Sequence, residues 1–171
     1  FSYRGLGDLL VLVFFGVVPV YFTWYVCIPK ALQGFNVWAL TAGIGCGLVI
    51  DTLLLVNNYR DRDNDKRDGK ITLVVRIGAR RTEQLYLYLP TLAEIIIFSI
   101  VMFNTSKPLL AAAIFIVLSA LYFIPHTRTT NKLVAINHGK ALNMVLGMTA
   151  RDMLVFGLVS ALQIILLYNP V

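Results

Sequence analysis

The chain has 171 residues, 58% of them hydrophobic and only 14% charged, with a mean hydropathy of +0.75. A soluble domain carries about a quarter charged residues, so the composition excludes an ordinary water-soluble fold and specifies an integral membrane protein. The net charge of +6 does not point to nucleic acid, because the basic residues cluster between apolar segments, as cytoplasmic loops of membrane proteins do.

Five stretches approach the length of about 20 apolar residues that a bilayer crossing needs. The first predicted span runs from about Leu6 to Ile28, with a kink at Pro19. The second runs from about Phe35 to Val56, and its Gly43-x-x-x-Gly47 pair lets another helix pack closely. The third, about Leu85 to Phe103, is interrupted by Pro90 and carries Glu94; the fourth covers about Leu109 to Ile124. The fifth covers about Met153 to Tyr168, preceded by a shallow interfacial stretch from Gly139. Cys27 and Cys46 lie in apolar runs without metal-ligand spacing and read as small core residues. Two polar loops remain, 57–84 and 126–148. The expected fold class is therefore all-α, a polytopic helical bundle in the lipid bilayer with no internal repeat and no soluble domain.

Alternating crossings put Arg4, both polar loops and Arg151 on one side, with thirteen Lys and Arg there against only Lys30 and Lys107 opposite. The positive-inside rule then places the loops at the cytoplasmic face of the inner membrane, and Trp24 and Trp38 near the other interface.

Four of the nine acidic residues fall between Asp61 and Asp68. If the second helix continues outward, Asn57, Asp61 and Asp65 recur at i, i+4 and i+8, one amide and two carboxylates along a single face. Such hard oxygen ligands suit Mg²⁺, which takes one or two protein carboxylates and completes its shell with phosphate oxygens and water. Arg60, Lys66, Arg67 and Lys70 are placed to add cationic contacts to a diphosphate. Asp51 stands seven residues before Asn58, on the same helical face, and both are candidates to line a cavity with Lys140 and Asn143. His126 and His138 have no carboxylate or cysteine at ligand spacing. Arg80, Arg81, Arg128 and Lys132 read as anchors for lipid headgroups. Arg151 and Asp152, being adjacent, are not expected to face each other.

The wording N-N-x-R-D-x-x-x-D-x-x-x-G-K-x-T-L-x-V-R-x-G, from Asn57 through Gly78, resembles the second aspartate-rich motif of the UbiA superfamily of intramembrane aromatic prenyltransferases. Within it the closest wording is that of the 1,4-dihydroxy-2-naphthoate polyprenyltransferases. Weaker similarity takes in Gly5-Leu6-Gly7-Asp8, Phe14-Phe15-Gly16 and Lys140-x-x-Asn143. The resemblance implies an all-α bundle of nine spans, Mg²⁺ at Asp61 and Asp65 with Asn57 as a weaker ligand, and a polyprenyl diphosphate as donor. The acceptor it implies is 1,4-dihydroxy-2-naphthoate, prenylated with loss of its carboxylate in menaquinone synthesis.

The superfamily's first aspartate-rich motif has no match here, and five spans stand where nine are expected. The sequence also opens at Phe1 with no charged leader. Residues 1–171 are thus expected to be the C-terminal part of one transmembrane prenyltransferase domain, its N-terminal half supplied in cis or in trans. Other readings remain: an aromatic prenyltransferase using 4-hydroxybenzoate, or a transporter or channel fragment built around Asp51 and Glu94. An EF-hand is disfavoured, since Lys66 and Thr72 stand where that loop needs Gly and Glu. A CDP-alcohol phosphotransferase is disfavoured for want of its upstream Asp-Gly and Ala-Arg elements. The purified 171-residue chain is expected to give no Mg²⁺-dependent prenyl transfer by itself; turnover at ordinary enzymatic rates overturns that expectation.

Overall fold

The computed structural model describes residues 5–167, so Phe1, Arg4 and Tyr168 of the sequence reading lie outside them. In chain order the helices are α1 (Gly7–Cys27), α2 (Val37–Arg67), the short α3 (Leu73–Ile77), α4 (Ala79–Phe103), α5 (Pro108–Ile136) and α6 (Leu142–Leu167). The five long ones are each long and apolar enough to cross a membrane, and no strand occurs among the described residues. Helices meet the bilayer's demand that every backbone N–H and C=O be bonded within its own segment.

Four of the long helices run past the polar boundary that composition suggests on at least one side, while α1 stays within it. Pro90 and Pro125 sit inside continuous helices. The fourth crossing runs on to Ile136 rather than ending near Ile124, and Leu142 to Leu167 form one helix without a shallow stretch before it. The reason lies in where the polar residues point. Thr129, Thr149 and Asp152 interrupt the hydropathy of α5 and α6, yet all three are buried between helices. Thr129 Oγ1 donates to Asp152 Oδ2 at 2.5 Å, and Tyr86 Oη meets Thr149 Oγ1 at 2.7 Å. Arg151 and Asp152 are ion-paired at 2.7 Å despite being adjacent, because the long arginine side chain folds back over its neighbour. Cys46 is half-buried but Cys27, at the end of α1, is exposed and so is no core residue among the described residues.

The central element is α2, which packs against α1, α3, α4 and α6, while α5 closes the bundle between α4 and α6. Asn36 caps its start, the side chain accepting from Ala39 N–H at 2.8 Å. The closest approach of the first helix to α2 is through small residues. A methyl group on Gly16 would lie 2.4 Å from Gly47 Cα, and one on Gly47 would lie 2.7 Å from the Leu12 carbonyl oxygen. The backbones therefore touch, as small-residue seams allow. Just upstream of Pro19, residues Leu12–Val17 widen into a π-helical turn. A proline ring crowds the carbonyl four residues before it, here that of Phe15, and the wider turn relieves that contact without breaking the span.

Glycine substitutions test the seam. Gly16→Ala is expected to force α1 away from α2 and to cost roughly 1–3 kcal/mol, the range for overpacking, read as a lowered thermal midpoint in detergent. Gly157→Ala, where a methyl group meets nothing within 4 Å, is expected to leave the midpoint unchanged or raise it.

Candidate functional site

Beyond Val56 the α2 helix continues without a break to Arg67, so Asn57, Asp61 and Asp65 occupy successive turns. The Arg60 guanidinium is the hub of this face. It donates from Nε to Asp61 Oδ1 at 2.8 Å and from Nη2 to Asp61 Oδ2 at 2.6 Å. The same Nη2 reaches Asn57 Oδ1 at 2.9 Å, and Nη1 reaches Asn143 Oδ1 on α6, also at 2.9 Å. Around it opens a polar cleft of about 340 Å³ lined by Arg60, Asp61, Asn64, Gly139, Lys140 and Asn143. Lys140 and Asn143, eighty residues away in sequence, thus share one cleft with the acidic face.

Asp65 lies one turn further and is mostly buried against Lys70, whose Nζ stands 3.0 and 3.1 Å from its two carboxylate oxygens. The Gly-Lys-x-Thr run builds this contact. Gly69 takes φ +69°, a left-handed conformation that glycine adopts without strain, and returns the Lys70 N–H to the Asp65 carbonyl at 2.8 Å. Thr72 then caps α3, its hydroxyl accepting from Val75 N–H. Lys66 and Arg67 are exposed, and Arg67 hydrogen-bonds Asn64 Oδ1 and the Asp63 carbonyl.

The turn between α5 and α6 is held to α2 by residues that sequence patterning missed. Tyr59 Oη donates to Glu83 Oε1 at 2.5 Å and to Asn137 Oδ1 at 3.3 Å. Arg62 stacks over the Tyr59 ring at 4.4 Å and donates to both the carbonyl and the side chain of Asn137. Asn137 itself has φ +61°, a conformation few residues other than Gly, Asn and Asp take. Tyr59, Arg62, Glu83 and Asn137 give no local pattern, since they meet only across the fold. Asn64 was legible: with Asn57 and Asp61 it completes an i, i+4, i+7 face.

Beneath the polar cleft, an apolar groove of about 490 Å³ runs between α1, α2 and α6, lined by Val11, Phe15, Ile50, Leu53, Leu54 and Leu146 with Asn57 at its polar end. Since Asn57 also bonds Arg60, the groove and the cleft adjoin. Asp51 and Asn58 are both buried and line neither.

Among the described residues no group of three or more His, Cys, Asp or Glu is placed to hold a metal ion. The donors that do converge, the oxygens of Asn57, Asp61 and Asn143, already surround a cation, the Arg60 guanidinium. Their hardness fits Mg²⁺, and their small number fits a Mg²⁺ whose remaining ligands are phosphate oxygens.

The Asn137 clamp is testable. Asn137→Ala loses the bonds that Arg62 Nη2 and Tyr59 make to the side chain and keeps a Cβ at positive φ, whereas Asn137→Gly loses the same bonds and removes that Cβ; the bond from Arg62 Nη1 to the backbone carbonyl survives in both. The alanine variant is expected to melt measurably lower than the glycine variant in detergent, and equal midpoints would remove the backbone contribution.

Comparison with known proteins places these residues among relatives. A family model described as the UbiA prenyltransferase family matches residues 1–138. The 1,4-dihydroxy-2-naphthoate octaprenyltransferase of Escherichia coli is 40% identical over 78 residues, 46% of this chain and 24% of that protein. Its counterpart of the same name from Mycobacterium tuberculosis is 40% identical over 98 residues, 57% of this chain and 32% of that one. The UbiA prenyltransferase domain-containing protein 1 of Ailuropoda melanoleuca is 30% identical over 164 residues, 94% of this chain and 45% of that protein. The matched segments cover from 24% to 45% of the length of these relatives. No solved structure matches it.

Proposed function

The chain belongs to the UbiA prenyltransferase family, and from that premise we propose that the polar cleft binds the diphosphate of a polyprenyl diphosphate while the adjoining groove takes its tail. The observation that carries this reading is the junction at Asn57: a cleft with Arg60 and Lys140 in its walls opens onto a groove whose other walls are hydrocarbon. That is the shape of an amphiphile with an anionic head.

Arg60 and Lys140 contact the phosphate oxygens by charge-assisted hydrogen bonds, with Lys66, Arg67 and Lys70 along the same helix end. Asp61 and Asp65, with Asn57 as a neutral ligand, would hold Mg²⁺. When bound, Mg²⁺ acts as a Lewis acid that stabilises the charge of the departing diphosphate. Arg60 and Lys70 release their carboxylates as the head group arrives and turn to the phosphates, so two internal ion pairs are exchanged for substrate contacts. The walls formed by Val11, Phe15, Leu53 and Leu54 keep water from the allylic cation left after ionisation. The acceptor that the motif wording and the names of the bacterial relatives support is 1,4-dihydroxy-2-naphthoate, prenylated with loss of its carboxylate; 4-hydroxybenzoate is the alternative. The reaction belongs to the whole enzyme, with the acidic face at the cytoplasmic side of the inner membrane.

In the whole enzyme, Asp61→Ala and Asp65→Ala are each expected to lower turnover at least about a hundredfold, the worth of several kcal/mol of leaving-group stabilisation. Lys140→Ala is expected to raise the KM for the prenyl diphosphate about tenfold, as for a lost hydrogen bond to a charged group. Turnover indifferent to both aspartate substitutions and to removal of Mg²⁺ would sink the proposal. Prenylation of 4-hydroxybenzoate in place of the naphthoate would reassign the acceptor alone.

A further inference from the structure

On the side of the bundle formed by α4 and α5 lies a second groove, of about 570 Å³, lined by Thr91, Ile95, Phe98, Ile116, Phe123 and Glu94 among others. Its rims are open, Ile95 being 55% and Ile116 68% exposed. Most of its polar atoms are already engaged, Glu94 Oε1 being a buried exception without a partner. Thr91 donates to the Leu87 carbonyl. The Glu94 carboxyl is buried and accepts at Oε2 from Ser119 at 2.8 Å and from Gln163 at 3.5 Å. The groove therefore offers hydrocarbon and aromatic edges, Phe98 and Phe115 meeting at 5.0 Å. Such a lining suits a flexible hydrocarbon chain.

One end of the groove's face is basic. Arg81, Tyr88 and Ile95 stand seven residues apart and so share one face of α4, and all three are exposed. Arg80 and Arg128 are exposed at the same end. From Arg81 to Ile95 the helix rises about 21 Å at 1.5 Å per residue. One leaflet with its headgroups is roughly 20–22 Å deep. We propose that this face is a specific site for one anionic phospholipid, its acyl chain lying in the α4–α5 groove and its phosphate on Arg81. The occupant follows from charge and length complementarity: a hydrocarbon slot that begins at Thr91, about 15 Å along α4 from the exposed Arg81, lies at the depth an acyl chain reaches when its phosphate sits on that guanidinium. The site lies apart from the polar cleft, and it stands whether or not the transferase reading holds.

Native mass spectrometry of the whole enzyme in detergent, titrated with phosphatidylglycerol or phosphatidylcholine of identical chains, tests it. Phosphatidylglycerol is expected to be retained as a single molecule at a several-fold lower concentration than phosphatidylcholine, and Arg81→Gln to reduce that preference about five-fold. Ile116→Trp, on an exposed rim where the fold is not disturbed, fills the slot and is expected to abolish retention of both lipids. Equal retention of the two lipids by the unmodified enzyme overturns the proposal. So does phosphatidylglycerol retention that Ile116→Trp leaves unchanged, which would assign the lipid to the basic residues alone.

Discussion

An unbroken helical backbone from Val37 to Arg67 is the constraint on which the rest of the structure depends. At 1.5 Å per residue, 31 residues make about 46 Å, some 15 Å more than the hydrocarbon core is thick. The excess carries the acidic face out of the apolar layer while keeping its side chains on a rigid helix. A loop of the same composition would leave Asn57, Asp61 and Asp65 free to move independently. The helix fixes them in register and presents them to the turn between α5 and α6.

Around that helix, two kinds of contact divide the labour. On one flank, α1 lies against α2 through Gly16, Gly43 and Gly47, with backbones touching and little side-chain volume between them. On the other, α4, α5 and α6 are joined by buried polar pairs such as Tyr86 with Thr149 and Thr129 with Asp152. In lipid, hydrocarbon side chains gain little by leaving hydrocarbon, so close backbone approach and interhelical hydrogen bonds must supply the cohesion. The groove under Asn57 lies between these flanks, lined by residues of α1, α2 and α6.

The polar cleft is held in a charge-balanced state by its own residues. Arg60 neutralises Asp61 and Lys70 neutralises Asp65, so the acidic face carries its counter-ions with it. On the proposed reading, binding of an anionic head together with a divalent cation would be an exchange of partners, in which both carboxylates and both basic side chains find new ones. Such an exchange avoids leaving any of the four charges uncompensated at the membrane surface.

Much of this was fixed by local chemistry that the sequence displays. Apolar stretches of the right length, the lopsided distribution of Lys and Arg, and the four-residue recurrence of Asn57, Asp61 and Asp65 determine a membrane bundle with an acidic helical face. The Gly43-x-x-x-Gly47 pair likewise announces a close helical neighbour. Tertiary structure alone decided how far the helices extend, because Thr149 and Asp152 read as polar interruptions until their buried partners on α4 and α5 are known. It alone decided that Asp51 and Asn58 line neither cavity, since sharing a helical face with Asp65 does not fix what packs against that face. And it alone brought Arg62, Glu83 and Asn137 to Tyr59, and Lys140 and Asn143 to Arg60, for a physical reason: periodicity reports which side chains share one helix face, whereas a site assembled from three helices exists only once their packing sets which faces meet.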